Sequence, residues 1–419
     1  MQVFKFGGAS VKDAEGVRNV VRVLQTTGYK NTLIVVSAMG KTTRALETVV
    51  QHYFEDKAWS RSLQEVKNYH NRIIADLFEA ETHPVISGVD AFFTALTLFL
   101  ERNKSSDYHF VYDQVVSFGE LIATTIVHHY LWEAGIENTR LDARKCIKTD
   151  AAYRDARVNW ELTRQHITRI IDPSVLYIVQ GFIGSDPDNF TTTLGKEGSD
   201  YTAAIFAYCL DAGSVTIWKD VPGVLNADPR YFTNARLLHR ISYREAIELA
   251  FYGASVIHPK TLQPLQRKEI PLYVKSFLHP LERGTSVGKG KTLVPSLPCF
   301  IVKKDQVLLS LSSLDFSFIL EDHISEIFRE LHKAGMKVDM IQNSAISFSV
   351  CVDDKFNTLE ELVSRLRENY KVEYYENVSL YTIRHATGAA VRQIEAGKKV
   401  LLRQSRKFSG QHTVQLVVT

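Results

Sequence analysis

Lys5 is the first residue whose setting suggests chemistry. It lies in the apolar run 3–6, directly before Gly7-Gly8-Ala9-Ser10. An ammonium on a buried strand needs an anionic partner, and the glycines leave backbone amides free for the same anion, so a phosphate suits the group. The same residues also suit an ordinary tight turn. Ser37-Ala38-Met39-Gly40-Lys41-Thr42-Thr43 repeats the theme after the β-branched run 33–36. Glu120, in Ser117-Phe118-Gly119-Glu120, shares a helical stripe with Val116, Ala123 and Val127. A carboxylate on that stripe needs a partner: a substrate ammonium, an internal arginine or a backbone amide. The polar run 191–200, ending Gly195-Lys196-Glu197-Gly198-Ser199-Asp200, opens a helix whose free N–H groups favour an anion. Asp200 equally suits a cap on that helix. Last, Lys219-Asp220 closes the strand-like run 215–218, and Asp228-Pro229-Arg230 forms a corner. Two aspartates and two cations fit a nucleotide pocket, though each aspartate also suits a turn.

Several other chemistries lack their residues. Gly40-Lys41-Thr42 and Gly290-Lys291-Thr292 are not phosphate-binding P-loops, because Val35 and Thr285 stand where the first glycine belongs. No GxSxG, HExxH or Cys/His cluster is present, so triad hydrolysis and zinc chemistry are not expected, and no metal ligands are assigned. Fifty basic against forty-seven acidic residues in 419 give no concentrated basic charge, so no nucleic-acid partner is expected. The longest apolar stretch, 91–100, carries Thr94 and Thr97 and falls short of about 18 residues, so no membrane partner is expected either. Four scattered cysteines and an N-terminus without signal-peptide features point to a reducing, cytoplasmic compartment.

The elements that must position these residues alternate. Strands are expected at 3–6, 33–36, 175–179 and 215–218, with helices at 11–24, 113–134 and 199–211 and a capped start at Ser242. This order predicts an α/β fold, a mostly parallel sheet between two helical layers. Residues 284–298, rich in Gly and Pro, read as a linker. Beyond it the order strand, helix, strand, strand, helix, strand over 307–375 is the ferredoxin-like βαββαβ unit. A shorter copy, lacking a final helix and strand, follows at 378–418. The expected domains are 1–290, 300–376 and 377–419.

Taken in order, the five segments, with Phe251-Tyr252-Gly253-Ala254-Ser255-Val256-Ile257-His258-Pro259, resemble the aspartate kinases (aspartokinases) of the amino acid kinase superfamily, and the tandem C-terminal units resemble ACT domains. The resemblance implies a three-layer αβα amino acid kinase fold. It implies phosphorylation of the L-aspartate side-chain carboxylate by ATP and Mg²⁺, the first step towards lysine, threonine and methionine. By resemblance, Lys5, Asp200 and Lys196 serve the catalytic centre. Ser37, Thr43, Glu120 and Ser199 hold aspartate, with Glu120 meeting its ammonium. Gly7, Gly8, Ser10, Lys219, Asp220, Asp228, Arg230 and Lys260 meet the nucleotide. A homodimer and a lysine or threonine effector are implied in the same way. Two positions depart from the family pattern: Lys196 stands where an arginine is usual, and Ser255 where many relatives have lysine. A lysine lacks the arginine fork, so weaker aspartate binding is expected, by about 1–2 kcal/mol. A non-catalytic amino-acid sensor is the alternative these departures leave open.

Overall fold

The computed structural model describes residues 1–79, 82–254, 257–290, 293–315, 317–408 and 410–419. Ser255, Lys291 and Thr292 lie outside the described residues. The chain forms two units. The first comprises Met1–Val224, Leu237–Ile247 and Ser255–Pro295, the second Leu225–Arg236, Glu248–Ala254 and Ser296–Thr419. The division is therefore interleaved, and residues 225–236 and 248–254 belong with the C-terminal part.

The elements run β1 (Gln2–Phe6), α1 (Ala14–Thr27), β2 (Thr32–Val36), α2 (Thr42–Phe54), α3 (Trp59–Leu77), α4 (Pro84–Arg102), α5 (Tyr108–Val116) and α6 (Phe118–Glu133). They continue with β3 (Thr139–Leu141), α7 (Trp160–Ile170), β4 (Tyr177–Gln180), β5 (Ile183–Ser185), β6 (Thr191–Thr193), α8 (Gly198–Cys209), β7 (Ser214–Lys219), β8 (Arg240–Ser242), α9 (Tyr243–Tyr252), α10 (Pro259–Arg267), β9 (Leu272–Ser276) and β10 (Thr285–Gly288). The main sheet has the order β3-β4-β2-β1-β7-β9-β10-β8. Its first six strands are parallel, β10 is antiparallel to β9, and β8 is parallel to β10. Every residue of β2 and β4 is buried, the polar Thr32 and Gln180 included, as strands inside a covered parallel sheet must be. The order switches direction between β2 and β7 around β1, and ligands in open α/β sheets bind beyond the C-terminal strand ends at such a switch.

Three sequence expectations change here. The helix expected over 113–134 is two helices, α5 and α6, joined at Ser117. Ser117 keeps a helical backbone (φ −58°, ψ −25°), so the apolar period runs across the break without showing it. The expected linker 284–298 contains β10, whose Thr285 is fully buried, donates to the Leu238 carbonyl at 2.5 Å and accepts from the Val224 N–H at 2.8 Å. Gly and Pro there serve the turns around a short strand that is paired on both sides, with β9 and with β8. Finally, Pro84–Arg102 and the joined Tyr108–Glu133 are each long and apolar enough to cross a membrane by length and composition alone. Within the fold Gly119–Val127 and Leu131 of α6 are buried, and α4 turns Val85, Val89, Phe93, Leu96 and Leu100 into the core, the behaviour of helices packed in a protein.

The second unit contains β11 (Cys299–Ser313), α11 (Glu321–Lys333), β12 (Lys337–Asn343), β13 (Ser347–Asp353), α12 (Leu359–Leu366), β14 (Tyr370–Arg384), α13 (Gly388–Glu395), β15 (Val400–Phe408) and β16 (Gln411–Val418). They form one six-stranded sheet, β12-β13-β11-β14-β16-β15. Two expectations sharpen. The strands expected at 371–375 and 378–383 are one continuous strand, β14. The strand the second copy lacked is the first half of β11: Cys299–Lys303 pairs with Leu380–Arg384. The copies therefore share two long strands. Residues 225–236 join them: Asn226 donates to the Pro298 carbonyl at 2.8 Å, and Phe232 stacks on Phe300 with centroids 5.1 Å apart.

Candidate functional site

The C-terminal ends of β1, β2 and β7 and the first turn of α8 surround a cavity of about 490 Å³. It is lined by Lys5, Gly8, Ser37, Thr43, Glu120, Lys196, Ser199, Asp200 and Lys219, all singled out from sequence. Arg154, Tyr112, Phe182 and Glu197 line it too and were not anticipated. Four cations and three carboxylates thus face one small volume.

Lys5 is buried on β1, between Val35 of β2 and Ile217 of β7. Its Nζ lies 2.6 Å from Asp200 Oδ1, and Lys219 Nζ lies 3.6 Å from Asp200 Oδ2. The fold itself thus supplies the anion that the sequence required for Lys5. Burial pushes the Asp200 carboxyl up, but Lys5 and then Lys219 outweigh it and hold it below the usual carboxylate range. Asp200 does not cap α8, whose N-cap is Glu197. It projects from the first turn, where the helix N-terminus adds positive potential.

Two glycines allow the close approach. A Cβ on Gly8 would lie 2.8 Å from the Ala38 carbonyl oxygen and 2.9 Å from that of Gly40, and one on Gly7 would lie 3.1 Å from Lys5 Nζ. The space over Lys5 exists because Gly7 has no side chain. On α6, Glu120 is 2% exposed. Its Oε1 accepts from the Ala38 N–H at 3.3 Å, while Oε2 has no hydrogen-bond partner in the protein. Burial pushes this carboxyl up to about 8, against the pull of the Ala38 amide and Lys5. Of the partners expected for Glu120, the backbone amide is present, and one oxygen of this cavity-lining carboxyl is left over.

Arg154 and Glu197 hold left-handed backbones, φ 70° and 54°. Arg154 is fixed by Asp113 of α5, whose two carboxylate oxygens accept the Arg154 N–H at 3.1 and 3.0 Å. The same carboxylate accepts the N–H and hydroxyl of Thr193 at 2.7 and 2.8 Å. Burial raises the Asp113 carboxyl to about 6 against these bonds. Glu197 Oε2 is buried without a hydrogen-bond partner. Sequence reasoning missed Arg154 because its position depends on a carboxylate 41 residues away.

The other expected site residues do not line the cavity. Ser10 is buried and donates to the Trp218 carbonyl at 3.3 Å. Asp220 is exposed. Lys260 pairs with Asp155. Asp228 and Arg230 pair with each other at 2.6 Å, in the segment that belongs to the second unit. Among the described residues no three His, Cys, Asp or Glu side chains are grouped as a metal cage.

Residues 1–276 match the sequence pattern of the amino acid kinase family. The lysine-sensitive aspartokinase 3 of Escherichia coli is 30% identical over 392 residues, covering 91% of this chain and 86% of its own. The aspartokinase of Chlamydia pneumoniae is 29% identical, covering 91% and 84%. Among solved structures, Escherichia coli aspartokinase III with aspartate and ADP aligns at a TM-score of 0.80 and 29% identity, over 100% of this chain and 96% of that one. The same enzyme with lysine and aspartate aligns at 0.82 and 27%, with the same coverage.

Proposed function

From the premise that this chain belongs to the amino acid kinase family and, within it, to the aspartokinases, we propose how its cavity phosphorylates L-aspartate. The observation that carries the reading is the pairing of Lys5–Asp200–Lys219 with the half-satisfied Glu120 in one cavity. Glu120 Oε2 receives the substrate ammonium. Ser37, Thr43 and Ser199 supply hydroxyls around the amino acid. The side-chain carboxylate attacks the terminal phosphorus of ATP: a new P–O bond forms, the bridging bond to the β-phosphate breaks, and ADP leaves. An ionised carboxylate is already a nucleophile, so no base is required, and catalysis is positioning and charge neutralisation. Lys5 neutralises the phosphoryl oxygens, Asp200 aims the two lysines, and Gly7 and Gly8 leave room for the phosphate. Lys196 adds positive charge at the loop tip.

The ADP-bound relative supports ATP as donor. The donor set fits a Mg²⁺ ion carried by the nucleotide rather than a dedicated cage, since Mg²⁺ usually binds substrate phosphates with one or two carboxylates. Bound there it would neutralise phosphate charge. The nucleotide contacts of Ser10, Lys219, Asp220, Asp228, Arg230 and Lys260 rest on the sequence resemblance. So does a homodimer assembled through the C-terminal units. The lysine-bound relative makes lysine the first effector to test. A coupled ADP-release assay with L-aspartate and MgATP tests the reading. Aspartate-dependent turnover is expected; its absence at saturating substrate would leave the chain as a sensor without catalysis.

A further inference from the structure

L-Aspartate carries an ammonium and two carboxylates, and the proposed reaction uses only one of the carboxylates as acceptor. That carboxylate must face the Lys5–Asp200–Lys219 group, where charge develops. The second one, beside the ammonium, needs its own cation, and the cavity offers Lys196 and Arg154. Lys196 is an exposed side chain at a loop tip. Arg154 is held from three directions. Its backbone is pinned to Asp113 in a left-handed conformation that side-chain-bearing residues rarely take. Its guanidinium carbon lies 4.4 Å from the ring centroid of the buried Tyr112. The acid paired with it, Glu47, stands 3.8 Å away, beyond hydrogen-bond range. A planar fork laid on an aromatic ring and still able to donate is the group that grips a carboxylate with two parallel bonds.

We infer that Arg154 binds the α-carboxylate of the amino-acid substrate and sets the preference for a dicarboxylic amino acid. The inference rests on the aspartate kinase reading of the same cavity. It also revises the expectation drawn from Lys196: the missing arginine fork is supplied from another loop. The left-handed backbone is kept because it aims this side chain, and Asp113 links that aim to β6 and so to the loop carrying Lys196 and Ser199.

The test compares wild type, Arg154→Gly, Arg154→Lys and Lys196→Ala in steady-state kinetics. The substrates are L-aspartate and its α-carboxamide, which keeps the ammonium and the acceptor carboxylate. Glycine adopts the left-handed backbone freely, so Arg154→Gly keeps the loop, and its melting temperature checks this. The expected result is a rise of about 10- to 100-fold in KM for aspartate with kcat within about threefold. The preference for aspartate over the carboxamide should collapse toward unity, and KM for ATP should stay the same. Arg154→Lys should fall between. The inference is overturned if Arg154→Gly keeps the wild-type preference, if the preference collapses in Lys196→Ala instead, or if wild type does not discriminate. A wild type without any aspartate-dependent turnover overturns the kinase reading itself, and this inference with it.

Discussion

Glu120 shows most clearly how a single residue links stability to function. Burial lifts its carboxyl from an ordinary 4.5 to about 8. Between those values the folded chain holds a proton that the unfolded chain has released, so stability falls as pH rises through the window. Glu120→Gln removes the titration. Thermal melts of the unliganded protein from about pH 5 to about pH 9 should show the variant gaining on wild type as pH rises; parallel curves would contradict the assignment. The substrate ammonium prefers the ionised form, so wild-type affinity for aspartate should improve up to about pH 8, and Glu120→Gln should raise KM by about 10-fold or more without that pH trend. At this scale the sequence was readable where a charge interrupted an apolar pattern, as at Lys5 and Glu120. Arg154 interrupts nothing. It sits in an irregular loop, and only tertiary contacts, with Asp113, Tyr112 and Glu47, give it a direction.

The elements act by bringing loops into contact, and glycine marks where they touch. Gly181, just after β4, lies so close to α8 that a Cβ there would overlap the Ser199 side chain. Gly181→Ala must push the first turn of α8, with Asp200, away from Lys5. The expected cost is about 1–3 kcal/mol of stability, with a larger proportional loss in kcat than in aspartate KM. Denaturant unfolding and steady-state kinetics check it, and a variant with wild-type kcat would show that α8 need not hold its place. The parallel strands were legible because the uninterrupted apolar runs 33–36 and 175–179 overlap β2 and β4. The break at Ser117 was not, because a residue with helical dihedrals preserves side-chain period while the chain passes from α5 to α6. The linker reading failed for the converse reason. Gly and Pro signal the turns around β10, and a strand of 4 residues is too short to show a period of its own.

At the scale of the molecule, the tandem βαββαβ pattern was visible, but the sharing of β11 and β14 between its copies was not, because sheet partners distant in sequence leave no local trace. The inserted segment Leu225–Arg236 was equally hidden. Its Phe232 packs on the core formed by β14, α13 and β16. Phe232→Ala should therefore destabilise the C-terminal unit by about 2 kcal/mol. Hydrogen exchange should show the loss in β14 and β16 while β1 and β2 keep their protection. Uniform loss, or none, would contradict the grouping of residues 225–236 with this unit. The account as a whole stands on the claim that the cavity around Lys5 makes an acyl phosphate on aspartate. Hydroxylamine, present during turnover with MgATP and L-aspartate, intercepts such a product as the side-chain hydroxamate. The account predicts hydroxamate formed in step with ADP by the wild type and lost in Lys5→Ala. ADP release without hydroxamate, or hydroxamate undiminished in Lys5→Ala, would contradict it.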